Sequence, residues 1–240
     1  MEAKTPDPPI SFSYAYQPIV NTNAGVIVGY EALVRGLQNQ PASSILQALN
    51  SESLYRFDEA GRIVAIRLAA SLELTCDLNL NFCPRSLETS KTAVQSTLDE
   101  ANRCGIPPER IILEVTEHEI IDNTLEFVSI MNEYRGLGVR IAIDDFGSGY
   151  AGLNLLAEFQ PDFIKLDMKL VRTIESKGPR QAIVRGVVRT CLDLGIDVVA
   201  EGVETPDEYW WFCEEGIELF QGNLFSKPAF EKLPLAYYPR

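Results

Sequence analysis

Short apolar runs alternate along this chain with longer stretches of helical apolar spacing, and that alternation narrows the fold more than any other feature. LNLNF follows a helical pattern over 53–74, RIILEV follows one over 86–104, and VRIAID follows one over roughly 123–136. FIKLDM comes after a Gly-rich turn and a short helix near 150–158, and IDVVA after a helix over 179–194. Thr205-Pro206-Asp207-Glu208 opens another helix, with Thr at the cap, Pro in the first turn and Glu three residues on. GIELFQG is the last strand. Strands alternating with helices predict βα units and a parallel sheet.

The beginning departs from this rhythm. FSYAYQPIV and VIVGYEALV are separated only by the turn at Asn21–Gly25, and so short a turn requires antiparallel pairing. Seven or eight units within 240 residues favour closure, since a single barrel of this type runs about 200–250 residues. No GxGxxG follows the first strand, which weighs against an open dinucleotide-binding sheet. The expected fold is therefore α/β, a TIM-like (β/α)8 barrel with an irregular antiparallel first strand. Residues 1–12, with Pro6, Pro8 and Pro9, read as an N-terminal arm or linker, and residues 13–240 as one barrel domain.

Composition excludes several classes. A formal net charge of -13 argues against gripping polymeric nucleic acid or an anionic membrane through protein charge. No window approaches the ~18 consecutive apolar residues of a membrane span, and MEAKTPDPPI lacks the basic flank and apolar run of a signal peptide. A cytoplasmic location is expected. Cys76, Cys83, Cys104, Cys191 and Cys213 are odd in number and never spaced as CxxC, which predicts free thiols.

In a barrel of this kind the site lies where the strands end, and here the apolar runs stop at polar residues. VIVGYEAL contains Glu31, LNLNF Asn81, and RIILEVTE Glu114 and Glu117; RIAIDDFG ends in Asp144 and Asp145. FIKLDM supplies Lys165 and Asp167, and VVAEGVE supplies Glu201 and Glu204. Any one could merely cap the next helix; six successive strand ends make a cluster. An oxygen-rich set of Asp, Glu and Asn suits hard cations such as Mg²⁺ or Mn²⁺, whereas zinc is disfavoured by a single histidine, His118, and dispersed cysteines. The adjacent Asp144 and Asp145 suit a two-metal centre, one bridging and one terminal.

With these residues in view, the chain resembles the EAL-domain phosphodiesterases of bacteria, which linearise the signalling dinucleotide cyclic di-GMP. The resemblance runs from about Tyr16 to Pro228 and rests on YQPIV, EALVRG, LNFCP, LEVTE, DDFGSGY, IKLD, AEGVET and QGNLFSKP, in that order. It implies Glu31, Asn81, Glu114 and Asp144 on one divalent cation, with Asp144 bridging to a second held also by Asp145 and Glu201. Lys165 resembles the family lysine that helps activate the attacking water, so Lys165, Glu201 and Asp145 are expected to be catalytic. Gln17, Glu31, Leu33, Arg35, Asn81, Asp167, Glu204, Gln221, Asn223 and Pro228 match positions that contact cyclic di-GMP, with Arg35 suited to clamp a phosphate. Glu117 resembles the acidic anchor of a loop, here Gly147-Ser148-Gly149, that links the site to a dimer partner.

Two positions depart from the commonest pattern. Cys83 stands where a small hydroxyl residue is frequent, and Asn223 where an aromatic residue is more usual. The resemblance implies hydrolysis to linear pGpG by a homodimer, with regulatory domains attached in the full-length protein. A non-catalytic cyclic di-GMP receptor, or a protein-interaction module, is the alternative. Family members of that kind usually show eroded ligands, and here each matching ligand is present.

Overall fold

The computed structural model describes residues 11–86, 93–116, 124–149 and 152–239. Eight strands close a barrel: β1 (Ser13–Asn21), β2 (Val26–Arg35), β3 (Asp77–Asn81), β4 (Ile111–Thr116), β5 (Arg140–Phe146), β6 (Phe163–Leu166), β7 (Asp197–Ala200) and β8 (Leu219–Phe220). β2 to β8 are parallel and neighbour one another in chain order. β1 closes the ring antiparallel to both β2 and β8, which is the TIM-like barrel with an antiparallel start expected from the sequence. A ninth strand, β9 (Ala229–Phe230), pairs with β1 at Ala15 and Tyr16, while β8 takes Val20 and Asn21.

The described helices are α1 (Ala42–Leu46), α2 (Ser51–Ser71), α3 (Ala93–Arg103), α4 (Thr124–Gly136), α5 (Gly152–Glu158), α6 (Met168–Val171), α7 (Gly178–Leu194) and α8 (Pro206–Glu214). The sequence reading passed over α1, α6 and β9. Each is too short to establish a period. The cap expected at Thr205 is present: its hydroxyl accepts from Glu208 N at 3.2 Å, and Glu208 in return accepts from Thr205 N at 3.1 Å. Asn50 and Ser53 make the same reciprocal pair at the start of α2.

Parallel strands covered on both faces read as near-continuous apolar runs, and here the two faces serve different layers. Leu78, Leu80, Ile111, Leu113, Val115, Ile141, Ile143, Ile164 and Leu166 face the helices and belong to the main core. The alternate residues face the barrel axis. Ile19, Gly29, Asn79, Ile112, Ala142, Phe163, Val199 and Leu219, one from each strand, surround a small internal cavity. This plug is the floor on which the polar mouth rests. All five cysteines are free, and no helix among the described residues is long and apolar enough to cross a membrane.

Candidate active site

Two positions beyond the apolar layer, every strand presents a polar side chain. Glu31, Asn81, Glu114, Asp144 and Lys165 lie on β2 to β6, Glu201 and Gln221 lie one residue past β7 and β8, and Gln17 on antiparallel β1 pairs with Glu31. The side-chain period of two along each strand makes this a single ring at the C-terminal mouth.

Lys165 is the hub. Its side chain is 1% exposed, and its ammonium lies 2.6 Å from Glu201, 2.8 Å from Glu114 and 3.3 Å from both Glu31 and Asp144. Burial alone would depress its pKa, but the four carboxylates together hold it well above the ordinary lysine value. One positive charge cannot balance four negative ones at this spacing. Burial accordingly pushes Glu114 up to about 8, against the pull of Lys165, and pushes Glu201 well above the ordinary carboxylate range.

Asp144 and Asp145 owe their shared direction to a bulge. β5 and β6 pair at Ile143↔Ile164 and resume at Phe146↔Leu166, so two residues of β5 oppose one of β6. Asp145 takes φ +52°, and Gly147 follows at φ +93° where a side chain would strike Leu170. In a flat strand consecutive side chains face opposite ways. Here Asp144, Asp145 and Glu201 bring carboxylate oxygens within 4.8 Å of one another. Burial, then the charges of Asp144 and Asp167, raise the Asp145 pKa.

Hydrogen bonds fix the rest of the ring. Gln221 Nε2 donates to Glu31 at 2.6 Å and to Gln17 Oε1 at 3.2 Å, and Gln17 Nε2 donates to the Ser226 carbonyl. Gly222, next to Gln221, passes so close to the Val203 backbone that a Cβ would lie 2.1 Å from its carbonyl oxygen. Asn81 reaches Glu31 only at 3.5 Å. Asn79, one layer down and 3% exposed, donates to Glu114 Oε1 at 2.7 Å. The sequence analysis missed it because it reads as an ordinary inward position of β3.

The remaining expected residues sit on two rims. Leu33 and Arg35 border a cavity of about 320 Å³ beside Asn81. The Arg35 guanidinium donates to the Val34 carbonyl and has no carboxylate partner among the described residues. On the opposite rim, Asn223 donates to Glu204 at 3.1 Å, and Arg172, a partner the sequence did not reveal, pairs with the same oxygen at 2.5 Å. Asp167 is buried and accepts from Lys169 N at 2.6 Å. Pro228 is half-buried just before β9. Glu117 and His118 lie outside the described residues.

The donor set fits a hard divalent cation. Among the described residues Glu114 Oε2 is buried without a hydrogen bond and Asp144 Oδ1 has only the shared Lys165 ammonium at 3.3 Å, the nearby ligand atoms are all oxygens, and the ring has excess negative charge. Buried carboxylate oxygens left so are costly unless a cation satisfies them.

The sequence profile of the EAL domain matches residues 10–228. The blue light- and temperature-regulated antirepressor BluF of Escherichia coli is 36% identical over 97% of the chain and 58% of its own length. Cyclic di-GMP phosphodiesterase PdeR of Escherichia coli is 33% identical over 94% of the chain and 36% of its own length. The chain thus spans less than two thirds of these longer relatives. Klebsiella pneumoniae BlrP1, solved as a manganese and cyclic di-GMP complex, superposes with a TM-score of 0.91 at 41% identity, covering 96% of this chain and 59% of BlrP1.

Proposed function

Because the chain belongs to the EAL-domain family, we propose that it is a divalent-metal phosphodiesterase that hydrolyses cyclic di-GMP to linear pGpG. The observation that carries this reading is the ring around Lys165: four carboxylates share one ammonium, and Glu114 keeps a buried oxygen with no hydrogen bond among the described residues. Glu31, Asn81, Glu114 and Asp144 would hold one cation; Asp144, Asp145 and Glu201 would hold the second. Mg²⁺ and Mn²⁺ both suit this oxygen set. When bound, the cations supply Lewis acidity toward a water molecule and positive charge toward the phosphate.

The chain's own residues do the rest. Lys165 stabilises the water as it loses its proton, since a buried cation favours the anionic form. Water oxygen bonds to phosphorus, the bond from phosphorus to the ribose 3′-oxygen breaks, and that oxygen leaves with a proton. Arg35, which has no carboxylate ion-pair partner among the described residues, clamps the phosphate through two parallel hydrogen bonds. Gln17, Leu33, Asp167, Glu204, Gln221, Asn223 and Pro228 border the nucleotide groove. Asn223, held by Glu204, offers an amide edge to a guanine where an aromatic ring would stack.

In this reading residues 1–12 are an arm, residues 13–240 one barrel domain, and the protein works in the cytoplasm as a homodimer. Glu117 anchors the Gly147–Gly149 loop, and regulatory domains accompany the barrel in the full-length protein, as the greater length of the relatives suggests. Similarity to the antirepressor BluF favours a second reading, a protein-interaction module without turnover. Incubation with cyclic di-GMP and Mg²⁺ or Mn²⁺, followed by chromatography, separates them. Accumulating pGpG supports the enzyme; nucleotide left unaltered supports the module without turnover.

A further inference from the structure

Asn81 is the least secured of the ring residues. Its side chain is exposed, its one side-chain partner among the described residues is Glu31 at 3.5 Å, and β3 ends on it. Its position therefore comes from the backbone: Asn81 pairs with Glu114 of β4, Phe82 N donates to the Glu114 carbonyl at 2.8 Å, and the turn just beyond is gripped from α2. Asp58 and Arg62, one helical turn apart, form an ion pair, and Arg62 is only 2% exposed. Asp58 Oδ1 accepts from the Cys83 amide at 3.2 Å, two residues past Asn81. The Arg62 guanidinium lies over the Phe82 ring at 5.0 Å, while its Nε donates to Thr97 Oγ1 on α3 at 3.0 Å.

A buried ion pair is weak evidence for stability, because desolvation offsets most of the attraction. Its placement is more telling. Asn81, Phe82, Cys83, Asp58 and Arg62 all line the same cavity of about 320 Å³, so on that side the turn has open space to move into if the pair releases it.

We propose that Asp58 and Arg62 are positioning residues that hold the turn Asn81–Cys83 and thereby set the Asn81 amide for the first cation. This inference rests on the metal reading above. The second cation would keep Asp145 and Glu201, on β5 and just past β7, which the pair does not touch, and should be weakened far less.

The test measures Mn²⁺ binding by calorimetry and by the spin resonance of the ion, without substrate. The parent should bind two Mn²⁺ per chain; a parent that binds none overturns the metal reading itself, and this inference with it. Asp58→Asn combined with Arg62→Gln removes both charges without stranding either. It should weaken one of the two sites about 10- to 100-fold, the usual effect of losing a group that orients a ligand. Made on Asn81→Ala, the same pair of substitutions should weaken that site no further. Arg62→Lys keeps the charge but loses the fork and the stack on Phe82, and should weaken the same site in a folded protein. A folded variant that binds both ions like the parent, or a loss that adds in full to that of Asn81→Ala, overturns the role.

Discussion

Asp144 and Asp145 are neighbours in sequence, yet both direct their carboxylates to one place at the barrel mouth. The bulge of β5 against β6 and the left-handed backbone of Asp145 produce this arrangement. Without the bulge one of the two would face the helices.

Asp145→Asn isolates charge from conformation, because Asn tolerates the left-handed region nearly as well as Asp. The bulge should survive while the second cation loses a charged ligand. Single-turnover hydrolysis should slow by at least roughly 10³, about 4 kcal/mol at 1.36 kcal/mol per decade. Calorimetry on the same preparation should record only a modest loss of nucleotide affinity, since Arg35 and the first cation remain. Hydrolysis at the parent rate would remove Asp145 from the catalytic set.

Lys165→Ala should lower the turnover number far more than nucleotide affinity, by roughly 10²–10⁴. The ammonium is buried beneath the carboxylates rather than on the groove surface. Steady-state kinetics set beside equilibrium binding check this. An equal loss of affinity with an unchanged rate constant would make Lys165 a binding residue instead.

Activity should vanish on chelation and return with Mg²⁺ or Mn²⁺. The measurement is pGpG production after verified metal stripping. Full turnover of the stripped protein would end the divalent-metal reading.

Assembly offers a separate handle. Leu153 on α5, just beyond the Asp144–Gly149 segment, is 62% exposed. Leu153→Glu should shift a two-fold dimer toward monomer in analytical ultracentrifugation and lower the specific activity of what remains. A monomer of undiminished activity would uncouple assembly from catalysis.

Glu100 yields a pH-dependent prediction outside the site. Burial pushes its carboxyl up, but hydrogen bonds from Arg67 and Arg103 outweigh that and set it at about 2, against an ordinary 4.5. Because the folded value is the lower one, the stabilisation is present above about pH 4.5 and is lost as pH falls through about 2. Glu100→Gln should therefore cost on the order of 1 kcal/mol at pH 6, both guanidinium partners being partly exposed. Urea midpoints of the two proteins should converge near the folded value.

What the sequence disclosed follows from how the site is built. The ring is made of residues at which apolar runs stop, so Glu31, Asn81, Glu114, Asp144, Lys165 and Glu201 were legible one strand at a time. The Asp144-Asp145 doublet was visible, but its bulge was not, because a bulge is a relation between strands. Asn79 resembled any inward residue of β3. Arg172 and the pair Asp58–Arg62 were hidden for another reason: Glu204, Phe82 and Cys83, which give them meaning, stand far away in the chain. α1, α6 and β9 were simply too brief to set up a period.

The closing strand has a consequence for how the molecule is made. Among the barrel strands β1 is the first to leave the ribosome, and β2 covers one of its edges almost at once. Its other edge must wait, since Val20 pairs with Phe220 and Ala15 with Phe230. Throughout synthesis the nascent sheet therefore carries an open border, the kind that invites pairing with a foreign strand. A product truncated before Leu219 should keep that border permanently and be prone to aggregate, however many of its upstream helices have already formed.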